Sequence, residues 1–122
     1  MAATTGRQIH HLTTAGEWEE ARRAGSYETP SLADEGFIHF SNPDQVERTA
    51  RKFYAEVPDL VILTVAVDAL PSGMSLRDEP GDPGSDGLFP HLYAALPVDA
   101  VIDVAPFAID EWSRSHESRT RY

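Results

Sequence analysis

Three short stretches carry side chains able to act together on a ligand. Arg77, Asp78 and Glu79 are consecutive, and in an extended chain Arg77 and Glu79 point the same way. A guanidinium beside a carboxylate makes either a structural ion pair or an anion clamp whose carboxylate orients a substrate hydroxyl. Pro80 biases Glu79 away from helix. His91 stands between Pro90 and Leu92, with Tyr93 two residues on, so aromatic bulk surrounds one imidazole. That group reads as a core histidine or as the wall of a ligand site. His39 and Ser41 alternate with the apolar Ile38 and Phe40, so one strand can give Ile38 and Phe40 to the core and turn His39 and Ser41 to a cleft. His10 and His11 are adjacent, and on a strand only one of them joins any given site. A polar cleft around His39, Arg77, Glu79 and His91 is the expected working site.

These residues need elements to position them. Ile9 to Thr13 reads as a first strand, with Ile9, His11 and Thr13 on one face and His10 and Leu12 on the other. Thr14 and Glu17 have capping-box spacing, Trp18 anchors the helix that follows, Glu19 and Arg23 can pair at i,i+4, and Gly25 closes it. A brief helical turn is expected at Leu32 to Glu35, then a strand at Phe37 to Ser41. Asn42 and Pro43 open a second helix whose apolar stripe is Val46, Ala50, Phe53, Tyr54 and Val57. Arg48, Arg51 and Lys52 lie off the stripe and read as a solvated face. Leu60 to Val67 is a nearly unbroken apolar run, the pattern of a central strand covered on both faces. Met74 to Arg77 reads as a short strand, Asp78 to Leu88 as a Gly/Pro/Asp loop that is either a flap or rim of the site or a surface excursion without a role, and Phe89 to Leu96 as an apolar turn. Val101 to Phe107 makes the last strand and Ala108 to Arg114 a helical turn. The order implies an α+β domain: a small mixed or antiparallel sheet with two main helices. One domain spans residues 9–107, with flexible termini at 1–8 and 115–122.

The 122 residues suffice for one core without metal or disulfide. The absence of cysteine excludes a thiolate nucleophile and cysteine-ligated metal. No metal site is expected, because neither HExxH nor an EF-hand loop occurs, and GxSxG, GxGxxG and Walker sequences are missing too. Nothing approaches a membrane span or a signal peptide, so a cytoplasmic location is expected. Twenty acidic residues against ten basic give a net charge of −10. That field disfavours bulk DNA or RNA, and leaves room for a small anionic ligand held by local cations.

The stretches EGFIHFS (Glu35 to Ser41), RDE (Arg77 to Glu79) and FPHLYAALP (Phe89 to Pro97), with the strand Leu60 to Val67 and the opening IHHLTTAGEWEEARRAG, resemble the DUF952 family of small bacterial proteins. The resemblance covers about residues 9–107. It implies an ADP-ribosyltransferase-like fold, grouped near the RNA 2′-phosphotransferases, with NAD as cofactor. It implies a NAD- or nucleotide-dependent transferase or hydrolase acting at an ADP-ribose or phosphate-linked group. The alternative is a non-catalytic module for a small anionic ligand. Under the resemblance His39, Glu79 and His91 are the catalytic candidates, and His11, Ser41, Arg77 and Tyr93 the cofactor-binding ones. A first-strand histidine would hold a ribose hydroxyl, and Arg77 would meet phosphate.

Overall fold

Thr14 ends one element and starts the next. It closes strand β1 (Gln8–Thr14), and its hydroxyl accepts the Glu17 N–H at 3.2 Å while the Glu17 carboxylate accepts the Thr14 N–H at 3.4 Å. This is the expected capping box, and it launches helix α1 (Ala15–Ala24). Gly25 ends α1 with φ at 92°, a left-handed conformation in which a Cβ would be strained. Trp18 and Ala21 face inward, and Glu19 pairs with Arg22 at 2.9 Å, one residue short of the expected Arg23. The computed structural model describes residues 6–81, 87–109 and 111–112.

Beyond α1 come β2 (Ser26–Tyr27), α2 (Pro30–Glu35) and β3 (Ile38–His39). A single 3-10 turn at Pro43–Gln45, capped by Asn42, leads into α3 (Val46–Phe53). Strands β4 (Leu60–Ala66), β5 (Leu76–Pro80), β6 (Leu88–Leu92), β7 (Leu96–Pro97) and β8 (Val101–Pro106) follow.

Among the described residues the strands form three small sheets, ordered β1-β4-β8, β3-β6-β5 and β2-β7, and every pairing is antiparallel. One isolated bridge joins the first two sheets: His10 and Ser41 exchange backbone hydrogen bonds, each of 2.8 Å. The class is α+β, as the sequence implies. Strand β4 is the central strand its apolar run predicts, because Val61, Leu63 and Val65 enter one core and Leu60 and Ile62 the other. The first core also takes Ile9, Trp18, Tyr27, Ile38, Phe40, Leu92 and Leu96. The second lies under α3, with Leu12, Val46 and Ala50.

Three expectations fail for physical reasons. Asp78 to Pro80 is not loop, because β5 pairs with β6 from Leu76↔Leu92 to Pro80↔Leu88. Phe89 to Leu92 is accordingly strand rather than apolar turn. Proline normally argues against a central strand, since it removes a ladder donor. Here Pro90 sits in the middle of β6 and contributes its carbonyl instead, which accepts the Phe40 N–H at 2.9 Å. The second helix also stops early: α3 ends at Phe53, which is 54% exposed and so leaves the expected stripe, while Tyr54 and Val57 beyond it still pack against the second core. At the C-terminal side the Trp112 N–H donates to the Ala108 carbonyl at 3.0 Å, the helical turn foreseen there. Residues 82–86 of the glycine-rich segment, and the tail with His116, lie outside the described residues. No helix among the described residues is long and apolar enough to cross a membrane.

Candidate functional site

Ladder register lays a row of side chains across one face of the β3-β6-β5 sheet. Arg77 stands opposite His91, and His91 opposite His39, so all three share that face. The Phe37 ring lies flat on His91, with centroids 4.1 Å apart and planes 13° apart. His39 meets His91 edge-on at 5.0 Å. His91 is only 3% exposed.

Glu79 fixes the state of that imidazole. Its Oε1 lies 2.9 Å from His91 Nδ1 and also accepts the Tyr93 hydroxyl. An ionised carboxylate can only accept, so Nδ1 carries the hydrogen. The Tyr93 hydroxyl, then the His91 bond, hold the Glu79 carboxyl below the usual carboxylate range. The same contact pushes the Tyr93 hydroxyl up. His91 Nε2 is buried and has no hydrogen-bond partner among the described residues. Arg77 turns away from the imidazole: its guanidinium lies 4.9 Å over the Tyr93 ring, and its Nε donates to Ser75 at 3.2 Å.

His11 belongs to a buried relay. Its Nδ1 is 2.7 Å from the His39 carbonyl, which only accepts, so Nδ1 is the donor. Nε2, at 2.9 Å, then accepts from the Tyr27 hydroxyl. Burial lowers the His11 pKa to about 4, against a smaller opposing pull from the His39 carbonyl. Burial likewise pushes Tyr27 up to about 12, so its hydroxyl keeps the proton it donates. Thr13 donates to Glu17 at 2.7 Å, and this bond is the main reason the Glu17 carboxyl is held low. His10 faces the other way, with Nδ1 3.1 Å from Thr64 and its ring edge-on to Trp112 at 5.3 Å. Of the two adjacent histidines, His11 is the one whose ring joins the His39 side.

A cleft of about 600 Å³ opens beside these groups. His11, His39, Ser41 and His91 border it, as do Tyr27 and Thr13. Its carboxylates are engaged: Glu35 bonds His39 Nε2 at 2.7 Å, and Glu17 holds the helix cap. Helix α3 adds Arg48, Thr49, Lys52 and the exposed Phe53. The Ser41 and Thr49 hydroxyls, 3.2 Å apart, tie α3 to the end of β3.

Four of the expected site residues, His11, His39, Ser41 and His91, therefore border one hollow. Arg77, Glu79 and Tyr93 do not line it and stand behind His91. His11 borders it with both ring nitrogens already bonded, so the ribose contact implied for a first-strand histidine would cost it the Tyr27 bond. Sequence reasoning missed Arg48 and Lys52 as cleft residues. Their i,i+4 spacing puts them on one helix face, but spacing cannot say what that face looks onto. Tyr27 left no signal, because two residues of strand are too few for a pattern. Among the described residues no group of three or more histidine and carboxylate side chains is placed to hold a metal ion.

Because Arg77 is exposed and its main contact is with one ring face, Arg77→Ala is expected to cost no more than about 1 kcal/mol of stability. Urea denaturation checks this, and a clearly larger loss would make the guanidinium a structural strut.

No curated protein matches this chain. The crystal structure of protein CC0527 from Caulobacter crescentus superposes with a TM-score of 0.72 at 31% identity, covering 87% of this chain and 98% of that one. Its solution NMR structure gives a TM-score of 0.67 at 34% identity, over 81% and 83% of the two chains. Residues 12–104 match the family described as a protein of unknown function, DUF952. With more than half the sequence so matched, the chain belongs to the DUF952 family.

Proposed function

We propose that this protein binds a small, nucleotide-like anion in the cleft bordered by His11, His39 and His91. One observation carries the reading: His91 is buried on the cleft wall, its Nδ1 is held by Glu79, and its Nε2 lacks a partner among the described residues. Leaving such a nitrogen unmet costs about 1–3 kcal/mol, which a ligand supplying the missing hydrogen bond recovers. The hollow falls within the roughly 300–1,000 Å³ of ordinary small-molecule sites. Arg48 and Lys52 on its α3 wall favour an anion.

A second reading has its own support. A carboxylate holding Nδ1 of an imidazole, with Nε2 left over, is the arrangement of a general base and its positioning residue. In that reading the protein is a NAD-dependent transferase or hydrolase acting at an ADP-ribose or phosphate-linked group, with an ADP-ribosyltransferase-like fold. NAD would supply the group to be transferred. His91 Nε2 would receive a ribose or acceptor hydroxyl hydrogen, and Arg48 and Lys52 would meet phosphate.

Calorimetric titration with NAD, followed by an assay for released nicotinamide, separates the two. Binding without release supports the module, whereas release supports the enzyme. Absence of both removes NAD, and failure of other nucleotides to bind as well would sink the anion reading.

A further inference from the structure

Hydrogen-bond direction can be followed atom by atom along the wall of the cleft built from β1, α1 and the β2–α2 segment. The Tyr27 hydroxyl has one hydrogen, and it goes to His11 Nε2. The Thr13 hydrogen goes to the Glu17 carboxylate at 2.7 Å. The Ser31 hydrogen goes to the Phe37 carbonyl at 2.8 Å. The Thr29 and Ser31 oxygens lie 2.7 Å apart, so the hydrogen between them is Thr29's. All four hydroxyls belong to residues that border the hollow. Whichever of these oxygens meets the hollow, it can accept a hydrogen bond and has none to give. Thr14 differs, since its oxygen accepts the Glu17 N–H and its own hydrogen has no taker among the described residues.

Glu17 gives this wall its charge. Its carboxyl is exposed and held low, and both of its bonds, from Thr13 and the Thr14 amide, fall on Oε1. No lysine or arginine pairs with it among the described residues. An anion brought here would meet lone pairs and like charge. An ammonium brings three N–H donors and the opposite sign.

We infer that this wall is a subsite for a primary amine in its ammonium form, with Glu17 balancing the charge and the hydroxyl oxygens of Thr13, Tyr27, Thr29 and Ser31 receiving its N–H donors. The inference goes beyond the anion reading and stands apart from it. A ligand carrying both groups would turn its anionic end to Lys52 on the α3 wall and its amine to Glu17.

The test is an NMR titration of the full, ¹⁵N-labelled chain with propylamine, which is protonated at neutral pH. Binding is expected with a Kd of about 1–10 mM, as suits so small a ligand. The amides of Thr13, Glu17 and Thr29 should move most. Propyltrimethylammonium keeps the charge without any N–H, and should bind at least about tenfold more weakly. Glu17→Gln should weaken propylamine at least about tenfold, because glutamine also serves in a capping box but carries no charge. Glu20→Gln removes an exposed acid of the same helix that does not border the hollow, and should change nothing. Should Glu17→Gln fail to fold, Thr29→Val takes its place. Thr29 makes no side-chain cap bond to α2, and losing its oxygen should weaken propylamine about two- to tenfold. Equal binding of the two cations overturns the inference. So do shifts scattered over the acidic surface, equal losses in the Glu17 and Glu20 variants, or no binding of propylamine at all. NAD binding without propylamine binding ends this inference and spares the proposed function, and the reverse result does the opposite.

Discussion

Ile38→Ala is expected to lower folding stability by about 2–5 kcal/mol. Ile38 is fully buried in the core cluster that also contains Phe40, Leu92 and Trp18. Truncation removes apolar atoms from water-free surroundings and leaves a hollow that close-packed neighbours refill only in part. Strand β3 is two residues long, so it has little ladder of its own to hold it in place. Packing at Ile38 keeps the strand seated, and the seated strand keeps His39 against His91. Urea denaturation of the purified variant measures the loss. An unchanged midpoint would mean that β3 is positioned by something other than its buried isoleucine.

Acid should unfold this protein partly through His11. Its folded pKa of about 4 lies below the ordinary value of 6.5, so between those limits the unfolded chain binds a proton that the native state refuses. Native stability therefore rises with pH across this window and falls on acidification. The His11 contribution is complete above about pH 6.5. Roughly 2 kcal/mol is lost by pH 5 and roughly 3 kcal/mol by pH 4, after which it changes little. The cause is desolvation: the imidazole is buried between the His39 carbonyl and the Tyr27 hydroxyl, where a positive charge would lose its hydration. His11→Gln removes the titrating group while keeping a polar side chain. Denaturation curves at pH 7.5 and pH 5 should converge for this variant by about 2 kcal/mol relative to the unaltered protein. Equal acid sensitivity in both would assign the pH dependence to carboxylates instead.

Local signals in the chain were legible where they settled one element at a time. The Thr14–Glu17 spacing, the left-handed Gly25 and the apolar run of β4 each specify their element through short-range chemistry, and each is realised. Alternation in the stretch around Ile38 separates core from cleft for the same reason. What resisted reading depends on partners distant in sequence. Pro90 argues against a central strand until Phe40 provides a donor for its carbonyl. Arg77 beside Glu79 looks like an anion clamp until Tyr93 engages both, donating its hydroxyl to the carboxylate and offering its ring face to the guanidinium. Arg48 and Lys52 look like a solvated face, and both are exposed, but the face they belong to borders the hollow. The histidines were visible as candidates. Which way each ring points followed only from the strand pairings, since His10 and His11 differ by a single step of pleat.

The lone bridge between His10 and Ser41 has a dynamic corollary. Two backbone hydrogen bonds in an isolated bridge cannot share the cooperativity of a full ladder, so they open more readily than the β1–β4 rungs beside them. Both residues border the hollow. Parting them would loosen the junction of the two sheets without unzipping either, and deuterium uptake at these two backbone positions would run ahead of their surroundings. An occupant gripping both walls would slow that uptake first at this seam.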